Sequence, residues 1–250
     1  MIMIAGPCAI ESASDTHQIA KELSNYSKEI ILRGGCWKPR TKPDSFQGLG
    51  EAGVEILVEA YEANGLAGCC LEVMDKEHLA YIAYRYPEKN IMLQIGSRNM
   101  QNFELLKLVG AFAKDMGKTI LLKRGFGNTV EEMCGAREYL NYDNVILCER
   151  GIRTLSDASR FTLDLSAVPV LQQKTGCAVI VDPSHAAGQR DLVSGLARAG
   201  IAAGADGLEI EVRAMFDNCK RQCDDAQALP TDEFYKLAYD CQQIDKLIKK

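Results

Sequence analysis

The chain has 250 residues, 47% of them hydrophobic and 25% charged, with 29 Lys and Arg against 34 Asp and Glu for a formal net charge of −5. That length suits one large domain or two small ones, and about 250 residues is the usual size of a (β/α)8 barrel. The acidic balance argues against a nucleic-acid surface. Neither a signal-peptide pattern nor a run of about 18 apolar residues occurs, which points to a cytoplasmic protein with no membrane span and with reduced thiols. The ten cysteines contain no CxxC pair, so a zinc knuckle or dithiol redox motif finds no support.

In chain order, short apolar runs alternate with segments of helical period. Residues 1–6 form a first strand that leaves through Ala5-Gly6-Pro7-Cys8, and Ile19, Leu23 and Tyr26 stripe the helix behind it. Residues 30–33 form the second strand, which runs out through Arg33-Gly34-Gly35-Cys36-Trp37-Lys38-Pro39-Arg40-Thr41 before a helix marked by Val54, Leu57, Val58 and Tyr61. Strands at 69–73, 91–96, 119–123 and 145–148 end near Glu72, at Arg98, at Lys123 and at Arg150. Residues 178–181 lead into Asp182-Pro183-Ser184-His185, and residues 208–212 carry Glu209 and Glu211. The last helix opens at Thr231 with Asp232 and Glu233 in its first turn and closes on Lys249 and Lys250, an order that suits the helix dipole. Its stripe is Phe234, Leu237, Cys241, Ile244 and Ile248.

Apolar strands separated by helices imply a parallel sheet with crossovers. Eight units favour closure into a single (β/α)8 TIM barrel of class α/β spanning residues 1–250 as one catalytic domain, with no appended regulatory domain. No GxGxxG follows the first strand, which disfavours a dinucleotide fold.

In such a barrel the C-terminal strand ends form the active face. Arg33, Lys38, Arg40, Arg98, Lys123 and Arg150 would meet there, and six cations in one mouth call for a ligand with several negative groups. Cys8, His185 and carboxylates suggest a divalent ion, Mn, Fe, Co or Zn rather than Mg. His17 and His78 lie in polar, helix-like stretches and read as solvated. Glu209 and Glu211 share a face by period two; parity leaves both open, and position at the strand end favours Glu211.

The segments Ala5-Gly6-Pro7-Cys8, Lys38-Pro39-Arg40-Thr41, Ser45-Phe46-Gln47-Gly48, Gln94 through Asn99, Leu122 through Gly125, Cys148 through Gly151, Asp182 through His185 and Arg190-Asp191-Leu192 together resemble 3-deoxy-7-phosphoheptulonate (DAHP) synthases of the short type. The resemblance spans nearly the whole chain. It implies a metal-dependent, aldol-type condensation of phosphoenolpyruvate with erythrose 4-phosphate, the first step of the shikimate pathway to aromatic amino acids. Cys8, His185, Glu211 and an Asp then correspond to the metal ligands. That last ligand opens an Asp-Gly-x-Gln-Ser-Leu pattern in the family; here Asp224-Asp225-Ala226-Gln227-Ala228-Leu229 stands in its place, so register selects Asp224, with Asp225 as the alternative. Arg213-Ala214 replaces the family's His-Pro after Glu211-Val212.

By the same resemblance, Arg33, Lys38, Glu72, Arg98, Lys123 and Arg150 form the phosphoenolpyruvate pocket, while Arg40 and Thr41 bind erythrose 4-phosphate. Lys42 stands where the family often has Ser, with a small expected effect on the second substrate's phosphate. The metal is expected to act as a Lewis acid on the aldehyde, and proton handling falls to Lys38 or His185 as catalytic residues. A homo-oligomer, dimer or tetramer, is expected. One rival is the related 3-deoxy-octulosonate 8-phosphate synthase, which takes arabinose 5-phosphate and carries an Asn in a Lys-Ala-Asn-Arg-like motif where this chain has Lys38-Pro39-Arg40-Thr41. A second rival, a non-catalytic barrel acting as a binding partner, does not account for retaining Cys8, His185 and Glu211 together.

Overall fold

The structure is a computed structural model that describes residues 1–39, 42–215, 223 and 225–248. Eight strands alternate with helices: β1 (Ile2–Gly6), α1 (Ala13–Tyr26), β2 (Ile31–Arg33), α2 (Glu51–Ala63), β3 (Gly68–Glu72), α3 (Lys76–Arg85), β4 (Ile91–Ile95), α4 (Phe103–Met116), β5 (Ile120–Lys123), α5 (Val130–Tyr139), β6 (Val145–Glu149), α6 (Ala167–Thr175), β7 (Ala178–Val181), α7 (Pro183–Ala187), α8 (Arg190–Ala202) and β8 (Gly207–Arg213). Each strand pairs in parallel with the next, and β1 pairs with β8 from Ile2↔Gly207 to Gly6↔Glu211, so the sheet closes into a (β/α)8 barrel. A two-residue β9 (Leu229–Pro230) then joins β8 and leads into α9 (Thr231–Ile248).

Alternation along the strands explains both faces. Ile4, Cys70, Met92, Leu121, Cys148 and Ile180 point inward and form an apolar plug within the barrel. Their neighbours, such as Ala5, Leu71, Leu93, Leu122, Leu147 and Val181, point outward into the core shared with the helices. Two residues past the plug, the inward positions turn polar: Arg33, Glu72, Gln94, Lys123, Arg150 and Asp182 are all buried. The sequence therefore switches from apolar to charged at one level around the barrel, and that level is the floor of a site.

Helix ends follow their sequence signals. Ser12, Asp75 and Asn102 cap α1, α3 and α4 through side-chain oxygens, and Thr129 with Glu132 makes a capping box on α5. On α9, Phe234, Leu237 and Cys241 are buried as the stripe implies, whereas Ile248 is exposed. Among the described residues, no helix is long and apolar enough to cross a membrane.

Candidate active site

Three donors of different kinds meet at the barrel mouth. Cys8 follows β1, His185 stands in the first turn of α7 after β7, and Glu211 projects from β8; their donor atoms all lie within 4.8 Å of one another. The strand–helix junction fixes His185 twice over. Asp182 caps α7 by accepting from the His185 backbone N–H (3.0 Å), and its Oδ2 lies 2.7 Å from His185 Nδ1. That leaves Nε2 facing Glu211 Oε1 at 3.1 Å. Glu211 is held by a backbone bond to Ser184 Oγ (3.0 Å) and by Gln227 Nε2 on its Oε2 (2.7 Å), while the buried Oε1 has no hydrogen-bond partner.

A thiol, an imidazole and a carboxylate oxygen without a hydrogen bond, all aimed at one point, fit a borderline divalent ion such as Mn, Fe, Co or Zn. The charges of these groups adjust to one another. Burial works against the His185 imidazolium, but Asp182 and Glu211 beside it push its pKa up to about 9. Burial also opposes ionisation of Asp182, yet His185 and Lys123 hold it well below the usual carboxylate range. The hydrogen bond to Cys223, burial and the Glu211 charge push the Cys8 thiol up, against the opposing pull of Lys38. Asp182→Asn keeps the cap but removes the charge that selects the His185 tautomer. A 10- to 100-fold loss of Mn(II) affinity is expected, readable by titration, together with a lower melting temperature, because Lys123 loses one of its two buried carboxylate partners.

Of the two candidates for a fourth ligand, Asp225 points elsewhere: its Oδ1 lies 3.3 Å from Arg213 Nη1. Asp224 lies outside the described residues, as do Arg40 and Thr41. A second acidic and thiol cluster, Cys148, Asp182 and Glu209, lies deeper. The Lys123 ammonium already fills it, 2.7 Å from Asp182 Oδ2 and 2.8 Å from Glu209 Oε2.

These contacts close a ring of alternating charge inside the barrel. Arg33 Nη1 lies 3.4 Å from both Glu209 and Glu211, Glu211 faces His185, His185 meets Asp182, and Lys123 links Asp182 back to Glu209. Burial disfavours both cations, but the flanking carboxylates hold Arg33 and Lys123 above their ordinary values. Buried ions persist only in such paired arrangements.

Above the ring opens a cleft of about 280 Å³, lined by seven cations (Arg33, Lys38, Lys42, Arg98, Lys123, Arg150 and Arg160) and one carboxylate, Glu72. Burial raises the pKa of Glu72, and the surrounding cations resist that shift. Nε of Arg33 and Nη1 of Arg150 are buried without a hydrogen-bond partner. Buried donors left open beside a cleft ask for an anion. Two stacked rings, Phe126 and Phe161 with centroids 5.5 Å apart, hold the guanidiniums of the rim. Arg150 lies 4.4 Å from the Phe161 centroid, Arg153 4.9 Å from Phe126, and Arg98 5.9 Å from Phe126.

Lys38 joins cleft and donor triad. Its Nζ donates to Cys8 O (3.0 Å) and lies 3.2 Å from Cys8 Sγ. It passes over Gly35, where a Cβ would come within 2.8 Å of the Cys8 carbonyl oxygen as well as 2.5 Å of Lys38 Cδ, so the backbone contact requires glycine there. The structure thus brings Cys8, Arg33, Lys38, Glu72, Arg98, Lys123, Arg150, His185 and Glu211 to one mouth. The expectation for His78 needs correction: rather than standing in solvent, its ring stacks on Trp37 at 3.8 Å, because the chain after β2 folds back over α3. Sequence reasoning missed Arg160, Phe126 and the orienting roles of Asp182 and Gln227. Arg160 comes within reach only because Ile152 pairs with Thr162 across the loop after β6.

Fold and site define a (β/α)8 barrel with a cation-lined cleft set over a thiol, an imidazole and a carboxylate that could hold a metal ion. The chain belongs to the DAHP synthetase I family, whose profile matches residues 1–250. It is 43% identical over 245 residues to phospho-2-dehydro-3-deoxyheptonate aldolase of Thermotoga maritima, covering 97% of this chain and 69% of that one. It is 28% identical to 2-dehydro-3-deoxyphosphooctonate aldolase of Syntrophotalea carbinolica, over 99% of this chain and 91% of the other. The crystal structure of the T. maritima enzyme superposes with a TM-score of 0.86 at 41% identity, covering 99% of this chain and 69% of that one. The truncated form of 3-deoxy-D-arabino-heptulosonate 7-phosphate synthase from T. maritima gives 0.83 at 38% identity, covering 100% and 87%.

Proposed function

We propose that this chain condenses phosphoenolpyruvate with D-erythrose 4-phosphate to give 3-deoxy-D-arabino-heptulosonate 7-phosphate and phosphate, as the opening reaction of aromatic amino acid biosynthesis. The observation that carries the reading is the seven-cation cleft over Cys8, His185 and Glu211, on a chain whose net charge is −5. Two phosphorylated substrates, one also a carboxylate, match that charge, and the similarity to the T. maritima enzyme supports the same choice.

In this reading Cys8, His185 and Glu211 hold a divalent ion, with Asp224 as fourth ligand, and the ion when bound supplies Lewis acidity toward the aldehyde oxygen. Arg33, Lys123, Arg98 and Arg150 grip phosphoenolpyruvate, and the open donors of Arg33 and Arg150 find their acceptors in it. Arg40 and Thr41 take the phosphate of the second substrate, with Lys42 and Arg160 beside the same opening. Holding C3 of phosphoenolpyruvate against the aldehyde carbon favours the new carbon–carbon bond, and the cations offset repulsion between the two anions. Water adds at C2 and phosphate leaves. Lys38, protonated and beside Cys8, is placed to give a proton to the developing hydroxyl, and Glu72 faces the same space. Residues 1–250 act here as one catalytic domain, working in the cytoplasm as a dimer or tetramer.

Phosphate release measured with erythrose 4-phosphate and with arabinose 5-phosphate, before and after chelation, tests the reading. Turnover with the tetrose phosphate that chelator abolishes is the expected result. Faster turnover with the pentose phosphate would assign the chain to the reaction of its octulosonate relatives, and full activity in chelator would remove the metal from the mechanism.

A further inference from the structure

The loop between β2 and α2 supplies Lys38, Pro39, Lys42 and Ser45 to the cleft wall, and Arg40 and Thr41 fall within it in sequence. It is bonded first to itself. Gly50 N–H donates to Cys36 O (2.9 Å) and Lys38 N–H donates to Gln47 O (2.9 Å), so the two ends of the loop are drawn together. Gly48 permits that closure: at φ 95° its backbone passes so near Cys36 that a Cβ would lie 2.0 Å from the Cys36 carbonyl oxygen. The Gln47 side chain gathers the turn before it, donating to Ser45 O (2.8 Å) and to Pro43 O (3.2 Å).

Among the described residues, this loop meets the rest of the barrel on two sides. On the β1 side Phe46 packs against Cys8 and Ala9, and Lys38 Nζ donates to Cys8 O (3.0 Å). On the α3 side Trp37, the single tryptophan of the chain, lies flat on His78, with ring centroids 3.8 Å apart and planes 9° from parallel. The His78 ring is oriented by its own surroundings. Its Nδ1 accepts from Met74 N–H (3.2 Å), its backbone N–H donates to Asp75 Oδ1 (3.0 Å), and its Nε2 faces Asp75 Oδ2 at 3.5 Å. Burial lowers the His78 pKa against the opposing pull of Asp75 and Glu77, so the ring is neutral at neutral pH and Nδ1 keeps its lone pair for Met74. Met74 lies two residues past Glu72, the end of β3, so the plate beneath Trp37 is fixed to a strand end that itself faces the cleft.

We propose that His78 is a positioning residue for the second substrate: by stacking on Trp37 it holds the loop of residues 38–47 in the shape that receives the aldehyde's phosphate. The inference rests on the reading above, in which that loop takes the phosphate of erythrose 4-phosphate. An aromatic pair of this kind shifts a loop between held and loose forms by up to about tenfold. A substrate that binds only the held form sees its affinity reduced in proportion to the fraction that is loose. Once bound, that substrate itself keeps the loop in place, so the loss falls on KM and spares kcat. Phosphoenolpyruvate is gripped by Arg33, Lys123, Arg98 and Arg150, which come from or directly follow β2, β5, β4 and β6, and its KM does not depend on the stack. Lys38 keeps its own bonds to Gln47 O and Cys8 O whether or not His78 is present.

The test compares His78→Ala and His78→Phe with the wild type in steady-state kinetics at saturating Mn(II), in acrylamide quenching of tryptophan emission and in thermal unfolding. With one tryptophan in the chain, the quenching reads the stack directly and without turnover. His78→Ala is expected to raise the KM for erythrose 4-phosphate about tenfold, to leave kcat and the KM for phosphoenolpyruvate within about twofold, and to open Trp37 to acrylamide. His78→Phe loses the bond to Met74 but restores a flat ring, so it should shield Trp37 again and return the KM to near the wild-type value. Exposure of Trp37 with an unchanged KM for erythrose 4-phosphate, an equal rise in both KM values, a loss confined to kcat, or a phenylalanine variant as impaired as the alanine one overturns the proposal. Should His78→Ala fail to unfold cooperatively, Trp37→Leu removes the stack from the loop side and is held to the same kinetic outcomes. A wild type that turns over arabinose 5-phosphate in place of erythrose 4-phosphate removes the assigned reaction, and the same variants measured with that aldehyde still decide the role of the stack.

Discussion

Cys8→Ala will abolish tight Mn(II) binding and lower turnover by about a thousandfold, which corresponds to ~4 kcal/mol of lost transition-state stabilisation from the metal. The protein will still fold. What Cys8 contributes to the barrel is mostly backbone: its carbonyl accepts from Gly35 and Lys38, and the next link is Ile10 N–H to Gly35 O at 3.0 Å. Alanine keeps all three. Loss of one buried sulfur from a small cluster lowers stability by on the order of 1 kcal/mol. Mn(II) titration, turnover at saturating metal and thermal unfolding separate these effects. A variant that loses activity together with its cooperative unfolding, or one that retains both activity and Mn(II), contradicts the assignment.

Most of this site could be located in the sequence because one simple rule governs the barrel. Inward positions alternate, so Cys70 with Glu72, Leu121 with Lys123, and Ile180 with Asp182 each place a charge one step above the apolar plug. Strand periodicity alone therefore gathers the cations. Depth is a different matter. Period two puts Glu209 and Glu211 on one face, but which of them reaches the triad depends on the stagger between β8 and β1. Pairing of Ile4 with Glu209 sinks that carboxylate to the level of the plug, and pairing of Gly6 with Glu211 lifts the other to the mouth. No local pattern encodes that stagger. Arg160 and Cys223 were invisible for a related reason: what places each is a contact that no local pattern shows, the pairing of Ile152 with Thr162 in one case and of Cys223 with Glu11 in the other. His78 misled because polar neighbours on a helix say nothing about Trp37, which a loop from β2 lays across it.

Glu209 also sharpens the second large prediction. Lys123→Met removes a cation that lies 2.7 and 2.8 Å from two fully buried carboxylates, Asp182 and Glu209. Breaking a buried pair from one side costs about 3–5 kcal/mol. At roughly 2–4 °C per kcal/mol for a chain of this size, the melting temperature should fall by on the order of 10 °C. Turnover should fall as well, through a KM for phosphoenolpyruvate raised ~100-fold, about 2.7 kcal/mol of lost anion binding. The two losses have different origins and a second substitution parts them. Lys123→Met with Glu209→Met replaces an ion pair by apolar side chains of similar volume beside the existing plug of Ile4, Met92 and Leu121, an exchange that is often neutral for stability. Asp182 keeps its contact with His185 in that background, and Arg33 keeps Glu211. The double variant should therefore regain most of the melting temperature while its KM for phosphoenolpyruvate stays high. Recovery of KM along with stability would mean that Lys123 serves only to neutralise the carboxylates beneath the cleft, and that the substrate is held by the remaining cations alone.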